Sequence, residues 1–255
     1  MVSNRTKAVL NDYKIVFAII AIIIIMVIRT TYFVSFENII NIFTKIAIEG
    51  VIVIGMTYLI ILGEIDLSVG ETMALSCTLS IILQKYGVVP GILGGVLIGM
   101  LIGFLNGILV VRLKIASIAV TLGMMIMVNG IVFVITKSLA PAGGNYSISG
   151  ENEYFGLIAE TRILGIPSMI IVFIILVIVF NFILNRTVFG RNIFATGGNL
   201  LASKYANIKV DRIRLSAFVI TGTLAGVAGV LLVSRYNIAS GAIGQNIPLF
   251  VITAV

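Results

Sequence analysis

Long apolar stretches recur along this chain and constrain its fold more than any other feature. Seven of them lie near residues 15–34, 43–62, 70–86, 88–111, 115–136, 165–184 and 215–233. An eighth apolar run begins at Ile247 and reaches the last residue, Val255. A helix of about 20 apolar residues crosses the hydrocarbon core of a membrane. The pattern therefore predicts an all-α, polytopic membrane helix bundle with about seven complete transmembrane helices and a truncated eighth.

The composition supports this prediction. Hydrophobic residues make up 60% of the 255 residues and charged residues only 11%, whereas soluble domains carry about one quarter charged residues. A soluble fold of this size could not bury so much apolar surface, so we expect the excess to face lipid.

Basic residues are distributed unevenly among the segments that connect the spans. Residues 1–14, 112–114 and 185–214 hold eleven of the 17 Lys and Arg, whereas 137–164 holds two. Because loops rich in Lys and Arg stay in the cytoplasm, we expect 1–14 to be a cytoplasmic tail and 137–164 an external loop. Residues 15–255 then form one transmembrane domain. The net charge of +7 is attributed to these loops rather than to nucleic-acid binding.

Several classes of chemistry are excluded by the residues that the chain lacks. There is no His, which removes His-dependent triads, the His general base and H-E-x-x-H zinc sites. No G-x-x-x-x-G-K-[ST] phosphate loop is present, so we expect ATP hydrolysis to take place in a partner chain. The single Cys77 lies within an apolar run and is interpreted as a packing residue. We expect no catalytic residue, no metal site and no cofactor.

Glycines recur every four residues in the fourth span, and the spacing returns in the seventh. This places them along one face of each helix, where a missing side chain lets another helix approach closely. We expect helix packing at these positions: Gly91, Gly95, Gly99, Gly103, Gly107, Gly222 and Gly226.

Carboxylates interrupt the apolar pattern between the second and third spans. Residues 63–71 read GEIDLSVGE and include Glu64, Asp66 and Ser68. Two interpretations are open: a hairpin turn with its acids in water, or a broken membrane helix whose polar groups line a cavity. Glu49, inside the second span, is another candidate for a substrate pathway, or a helix-packing hydrogen bond.

Three motifs resemble those of one transporter family. Residues 63–70 are similar to the G-x-I-D-L-S-V-G signature of the ribose/galactose/xylose-type permeases of ATP-binding-cassette (ABC) importers. Residues 190–199, GRNIFATGGN, resemble the family's cytoplasmic G-R-x-I-x-A-x-G-G-N, and residues 164–167 its L-G-I-P. The similarity runs in order from about residue 45 to the end. It implies a permease subunit that translocates a monosaccharide.

The resemblance also implies partners. Two permease subunits, identical or different, would form the pathway, two ABC ATPase subunits would dock on the cytoplasmic face, and a periplasmic or lipid-anchored binding protein would deliver the sugar. The ATPase-coupling residues would be Gly190, Arg191, Ala195, Gly197, Gly198, Asn199, Ala202 and Ile208. Small residues there favour a turn between two short helices, with Asn199 capping the second. A solvated basic loop is the alternative.

A neutral sugar would need dispersed hydrogen-bonding side chains within the spans. Asn106, Ser117, Thr121 and Asn129 are the candidates, with interhelical hydrogen bonds as the alternative role.

The chain departs from the family in three places. Asn207 stands where Gly is usual, and Leu201 where a small residue is usual. Asn is the residue after Gly that best tolerates a left-handed backbone. Family members carry about ten spans, so we expect a C-terminally truncated product or a partial sequence.

Other functions remain open. The cargo of an ABC permease could be a branched-chain amino acid or a sugar-like autoinducer. An ion-coupled secondary transporter would use Glu49, Glu64 and Asp66 as coupling carboxylates. A membrane-embedded enzyme is the third alternative, and the lack of His counts against it.

Overall fold

A computed structural model of the protein describes residues 14–140 and 146–255. The chain divides into two compact units, residues 1–43 and residues 44–255. All of the predicted cytoplasmic tail except Lys14, together with residues 141–145 of the predicted external loop, lies outside the described residues.

The first unit contains helix α1 (Lys14–Arg29), a 3-10 turn (Thr31–Val34) and the beginning of α2 (Phe36–Ile61). The Thr30 hydroxyl caps the turn by accepting a hydrogen bond from the Tyr32 N–H at 3.2 Å. The Asn38 side chain donates to the Phe33 carbonyl at 2.8 Å and closes the bend between the two helices.

The second unit is a bundle of helices with two small strand pairs. Its helices after α2 are α3 (Val69–Leu83), α4 (Val88–Arg112), α5 (Ser117–Leu139), α6 (Leu157–Glu160), α7 (Ser168–Arg186), α8 (Val188–Gly198), α9 (Leu200–Tyr205), α10 (Val210–Tyr236) and α11 (Ile247–Ala254). Strand β1 (Ser147–Ser149) pairs antiparallel with β4 (Ile238–Ser240), and β2 (Arg162–Ile163) with β3 (Ile166–Pro167). The predicted all-α polytopic bundle is confirmed.

The number of spans differs from the prediction. Five of the described helices, α2, α4, α5, α7 and α10, are long and apolar enough to cross a membrane. Seven complete spans are not confirmed, because α1 has 16 residues and α3 has 15. Twelve residues of α3 are buried, so protein rather than lipid surrounds it. Hydropathy alone does not distinguish an enclosed apolar helix from one that faces lipid.

The core of the second unit is formed where α3, α4 and α10 meet. The Ser76 hydroxyl of α3 donates to the Gly226 carbonyl of α10 at 2.8 Å, and the Cys77 thiol contacts the Gly229 carbonyl at 3.4 Å. Cys77 is a free, fully buried thiol, which confirms its interpretation as a packing residue.

The segment predicted as an exposed loop, 137–164, is partly packed. Residues 137–139 belong to α5, and Phe155 and Ala159 are buried. The Ser234 hydroxyl of α10 holds them, because it donates to the Phe155 carbonyl at 2.7 Å and accepts from the Ala159 N–H at 2.9 Å. Contacts between residues so far apart in the chain leave no local pattern in the sequence.

The segment 185–214, predicted as a cytoplasmic coupling loop with a turn between two short helices, is mostly helical. It contains α8, α9 and the first turn of α10, which begins at Val210. The Thr187 hydroxyl caps α8 by accepting from the Gly190 N–H at 3.2 Å, and the Asn199 side chain caps α9 by accepting from the Ala202 N–H at 2.9 Å. The predicted cap at Asn199 is confirmed.

Asn207 follows α9 with a φ of 59°, in the left-handed region. We expect Asn207→Val to lower the free energy of unfolding by about 1–2 kcal/mol, because a β-branched side chain clashes with the backbone there. Asn207→Gly should leave it unchanged. Thermal unfolding of the purified protein in detergent measures the effect. The matched control is Ala206→Val, at an exposed neighbouring residue with a φ of −76°. Equal unfolding temperatures for the two valine variants would contradict the prediction.

Candidate functional site

The helix break between α2 and α3 forms the centre of the candidate site. Helix α2 ends where Gly63 takes a φ of 75°, and the Glu64 N–H bonds back to the Leu59 carbonyl at 2.9 Å. Such an ending suits glycine, since any Cβ disfavours that φ. Asp66 is 2% exposed and Ser68 is fully buried. This burial contradicts a hairpin turn with its acids in water and is consistent with the broken helix, with Asp66 and Ser68 enclosed by protein.

Asp66, Ser68 and Asn106 form a buried polar cluster. The Asp66 carboxylate accepts from the Ser68 N–H at 2.8 Å, from the Ser68 hydroxyl at 2.6 Å and from the Asn106 amide at 3.2 Å. The same Asn106 amide donates to the Ser68 hydroxyl at 2.8 Å. The hydrogen bonds give the buried carboxylate the partners that burial requires. They also fix α4, through Asn106, against the break.

Helix α5 supports the break with two hydroxyls. Ser117 accepts from the Ile65 N–H at 3.3 Å, and Thr121 accepts from the Leu67 N–H at 3.1 Å. The two residues are four apart and lie on one face of α5. They satisfy backbone groups that the interrupted helix leaves free, which irregular backbone enclosed by protein requires.

Glu64 pairs with Arg214 of α10. The two side chains are 10% and 24% exposed, so the pair lies near the surface of the bundle. Arg214 was not among the predicted site residues. A carboxylate beside an apolar helix is stabilised by a hydrogen-bonding or cationic partner, and the expectation of such a partner for Glu64 was the available signal. The position of Arg214, 150 residues away, could not be read from it.

Asn129 and Glu49 lie apart from this cluster. The Asn129 amide donates to the Glu71 carboxylate of α3 at 3.0 Å and to the Gly241 carbonyl at 3.2 Å. Glu71 was missed as a site residue, although its place in the acidic segment was a signal. Glu49 lines an apolar groove of about 390 Å³ between α2, α7 and α11, with Phe173 and Phe250 among its walls. None of the other predicted pathway residues lines this groove.

The predicted coupling residues lie on α8, α9 and the turn that follows. Glycine is required at two of them: a Cβ on Gly190 would collide with the Leu184 carbonyl, and one on Gly197 with the Ile61 carbonyl. Gly197 therefore packs directly against the end of α2. Gly198 has open space around it. Arg191, Ala195, Asn199 and Ala202 are exposed, and Ile208 is half-buried.

Apolar side chains are exposed on the same two helices. Phe194 is 48% exposed, Leu201 65% and Tyr205 91%. The basic side chains of Arg191 and Lys204 are exposed beside them in the chain. Exposed apolar residues mixed with basic ones are typical of a surface that meets another protein.

The predicted packing glycines lie in the bundle where a side chain would not fit. A Cβ on Gly99 would collide with the Gly222 carbonyl, and one on Gly103 with the Phe218 carbonyl. A Cβ on Gly226 would lie 2.8 Å from the Gly95 carbonyl. Gly91 faces Phe155, and Gly107 faces Leu215, each with 2.6 Å between the glycine's added Cβ and the facing ring or methyl carbon. The backbones of α4 and α10 thus cross in direct contact.

Known proteins resemble the chain over most of its length. The family model described as "Branched-chain amino acid transport system / permease component" matches residues 38–255. The ribose import permease protein of Bacillus subtilis is 36% identical over 236 residues, which cover 92% of this chain and 72% of that protein. The L-arabinose ABC transporter permease protein of Azospirillum brasilense is 34% identical, over 87% of this chain and 64% of that protein. The ribose import permease protein of Haemophilus influenzae is 33% identical, over 100% and 80%. No solved structure gave a significant match.

Proposed function

This multi-pass membrane chain belongs to the family described as the permease component of branched-chain amino acid transport systems, and we propose that it is the permease subunit of an ABC importer. We propose a monosaccharide as its cargo, because the relatives with a named cargo are sugar permeases. The observation that carries the proposal is the 36% identity to a ribose import permease over 92% of the chain. The related ribose and L-arabinose permeases favour a five-carbon sugar as cargo.

The partners follow from this function. Two ABC ATPase subunits dock on α8 and α9, a second permease subunit completes the pathway, and a periplasmic or lipid-anchored protein delivers the sugar. The subunit is embedded in the bilayer of the bacterial inner membrane with its N-terminus in the cytoplasm. The excess of Lys and Arg in 185–214 and 1–14 supports this orientation.

The proposed mechanism is alternating access. ATP binding closes the ATPase subunits and moves α8 and α9. Two contacts carry this movement to the helix break: Gly197 against Ile61, and Arg214 with Glu64. The break is then displaced relative to the hydroxyls of α5 and to Asn106 of α4. The side chains of Ser117, Thr121 and Asn106 then lose their present partners and can form hydrogen bonds with the hydroxyls of a sugar.

The transport proposal is tested in proteoliposomes that contain the chain with its ATPase and binding protein. We expect uptake of radiolabelled ribose or L-arabinose that requires internal ATP and survives collapse of the proton gradient. Uptake that stops with the gradient and ignores ATP depletion would favour the ion-coupled transporter instead. Preferential uptake of leucine would keep the ABC class and overturn the sugar.

The coupling route has its own test in Gly197→Ala. The added Cβ pushes α8 away from the Ile61 carbonyl, so the ATPase should remain bound while its movement reaches the break less completely. Coupling between sites is typically worth 1–3 kcal/mol, and we expect sugar uptake to fall about tenfold.

The matched control is Gly130→Ala in α5, where the added Cβ meets nothing within 4 Å. Uptake and ATPase co-purification should both be retained in this control. If Gly197→Ala transported as well as Gly130→Ala, the contact between α8 and α2 would not carry the coupling.

A further inference from the structure

A cavity of about 420 Å³ lies between the end of α4 and the beginning of α10. Four cationic side chains line it, and Asp211 is the one carboxylate among the lining residues; the cations are Arg112, Lys204, Lys209 and Arg212. Within the described part of the chain, none of the four forms a salt bridge with a carboxylate. The lining side chains therefore leave a net charge of about +3 after Asp211 is set against the four cations.

This basic cavity lies at the level of the membrane surface, because it is formed at the ends of two spanning helices. Arg112 is the last residue of α4, an apolar helix of 25 residues, and Val210 is the first of α10, with 27. Both helices are long enough to span the hydrocarbon core, so their ends lie at the interface. The N-terminus of α10 has no side-chain cap, and its partial positive charge adds to that of the four cations.

An apolar strip on the exposed side of α4 ends at Arg112, one of the residues that line the cavity. Leu97, Leu101 and Leu105 are 57%, 49% and 37% exposed, and Ile108 is half-buried. Their spacing of three or four residues continues to Arg112, so all five lie on one face of the helix. The walls of the cavity are likewise both basic and apolar, since Val111 and Leu215 line it beside the cations.

We propose that the basic cavity binds the phosphate of an anionic phospholipid headgroup and that one acyl chain lies along the apolar strip of α4. Guanidinium and ammonium groups bind phosphate oxygens through charge-assisted hydrogen bonds. Basic pockets between transmembrane helices at the membrane surface suit such headgroups. The adjoining apolar strip favours a lipid over a soluble phosphate or an acidic protein surface. The proposal holds for either orientation and does not depend on the cargo.

The test is a titration of the purified full chain in detergent, followed by native mass spectrometry. Phosphatidylglycerol is compared with phosphatidylcholine of the same acyl chains, and we expect phosphatidylglycerol to bind more tightly. Each cation near the surface contributes about 1 kcal/mol, so Arg112→Gln with Arg212→Gln should weaken binding about thirtyfold. The matched control, Arg186→Gln with Arg191→Gln, removes two exposed charges that do not line the cavity and should change binding less than threefold.

A charge-retaining variant, Arg112→Lys with Arg212→Lys, should keep most of the affinity, which separates lost charge from lost folding. Several results would overturn the proposal. One is equal binding of the two lipids by the wild-type chain, and another is equal weakening in the Gln variant and its control. Full displacement of phosphatidylglycerol by millimolar glycerol 3-phosphate would assign the cavity to a soluble phosphate. Absence of lipid preference, with the Gln variant losing a co-purified ATPase, would assign it to a protein.

Discussion

Gly99→Leu should prevent α4 and α10 from packing and leave little folded protein. A Cβ at Gly99 already collides with the Gly222 carbonyl and lies 2.7 Å from the Gly226 Cα. These are backbone atoms of a neighbouring helix and cannot rotate away. We expect the free energy of unfolding to fall by about 3 kcal/mol or more, the upper range for overpacking. Thermal unfolding and size-exclusion chromatography in detergent measure the loss.

The chain offers matched controls for this substitution. Gly123→Leu and Gly130→Leu introduce the same side chain into α5, at exposed positions where a Cβ meets nothing within 4 Å. Both should unfold within a few degrees of the wild type, because leucine suits a surface that faces lipid. Should Gly99→Leu unfold at the temperature of these two variants, the close crossing of α4 and α10 would be wrong.

Asp66→Leu should be the most damaging change at the helix break. It removes the acceptor of three hydrogen bonds and leaves the Ser68 N–H, the Ser68 hydroxyl and the Asn106 amide with less than their full set of partners. A buried donor without a partner costs about 1–3 kcal/mol, so we expect a loss of at least about 3 kcal/mol. Sugar uptake should be lost even in protein that remains folded, since the break can no longer hold its shape.

Two further variants separate the polar cluster from a general effect of lost charge. Glu151→Leu removes an exposed carboxylate and should leave unfolding unchanged. Asp66→Leu combined with Asn106→Leu should cost less than the sum of the two single changes, because the second removes a donor that the first leaves unpaired. Strict additivity in this cycle would show that the two side chains do not interact.

The sequence indicated the features of this fold that depend on local spacing. Glycines four residues apart predicted close packing of α4, and Gly63 beside a run of acids was consistent with a broken helix. Both depend on one helical period or on the conformational limits of one residue, which a single sequence contains. The left-handed φ of 59° at Asn207 was indicated only through the resemblance to a family that has glycine there.

Features that depend on distant contacts could not be predicted in this way. The third apolar run was counted as a span although Glu71, Thr72 and Ser76 make it more polar than the others, and the enclosure of α3 by α4 and α10 depends on contacts that its own sequence does not show. The partner of Glu64, the partner of Glu71 and the burial of Phe155 each join residues far apart in the chain. Glu49 was grouped with Glu64 and Asp66 as a candidate pathway carboxylate, but it lines a groove to which neither of them contributes.

The shortness of α3 has a consequence for how the protein is made. A helix of 15 residues that carries a carboxylate is too short and too polar to be stable alone in a bilayer. It is stabilised by α10, whose Gly226 accepts the Ser76 hydrogen bond and lies 150 residues later in the chain. During synthesis the Ser76 hydroxyl therefore cannot meet this acceptor until α10 has been made, so the packing of α3 is completed only after α4, α5 and α7 have been synthesised.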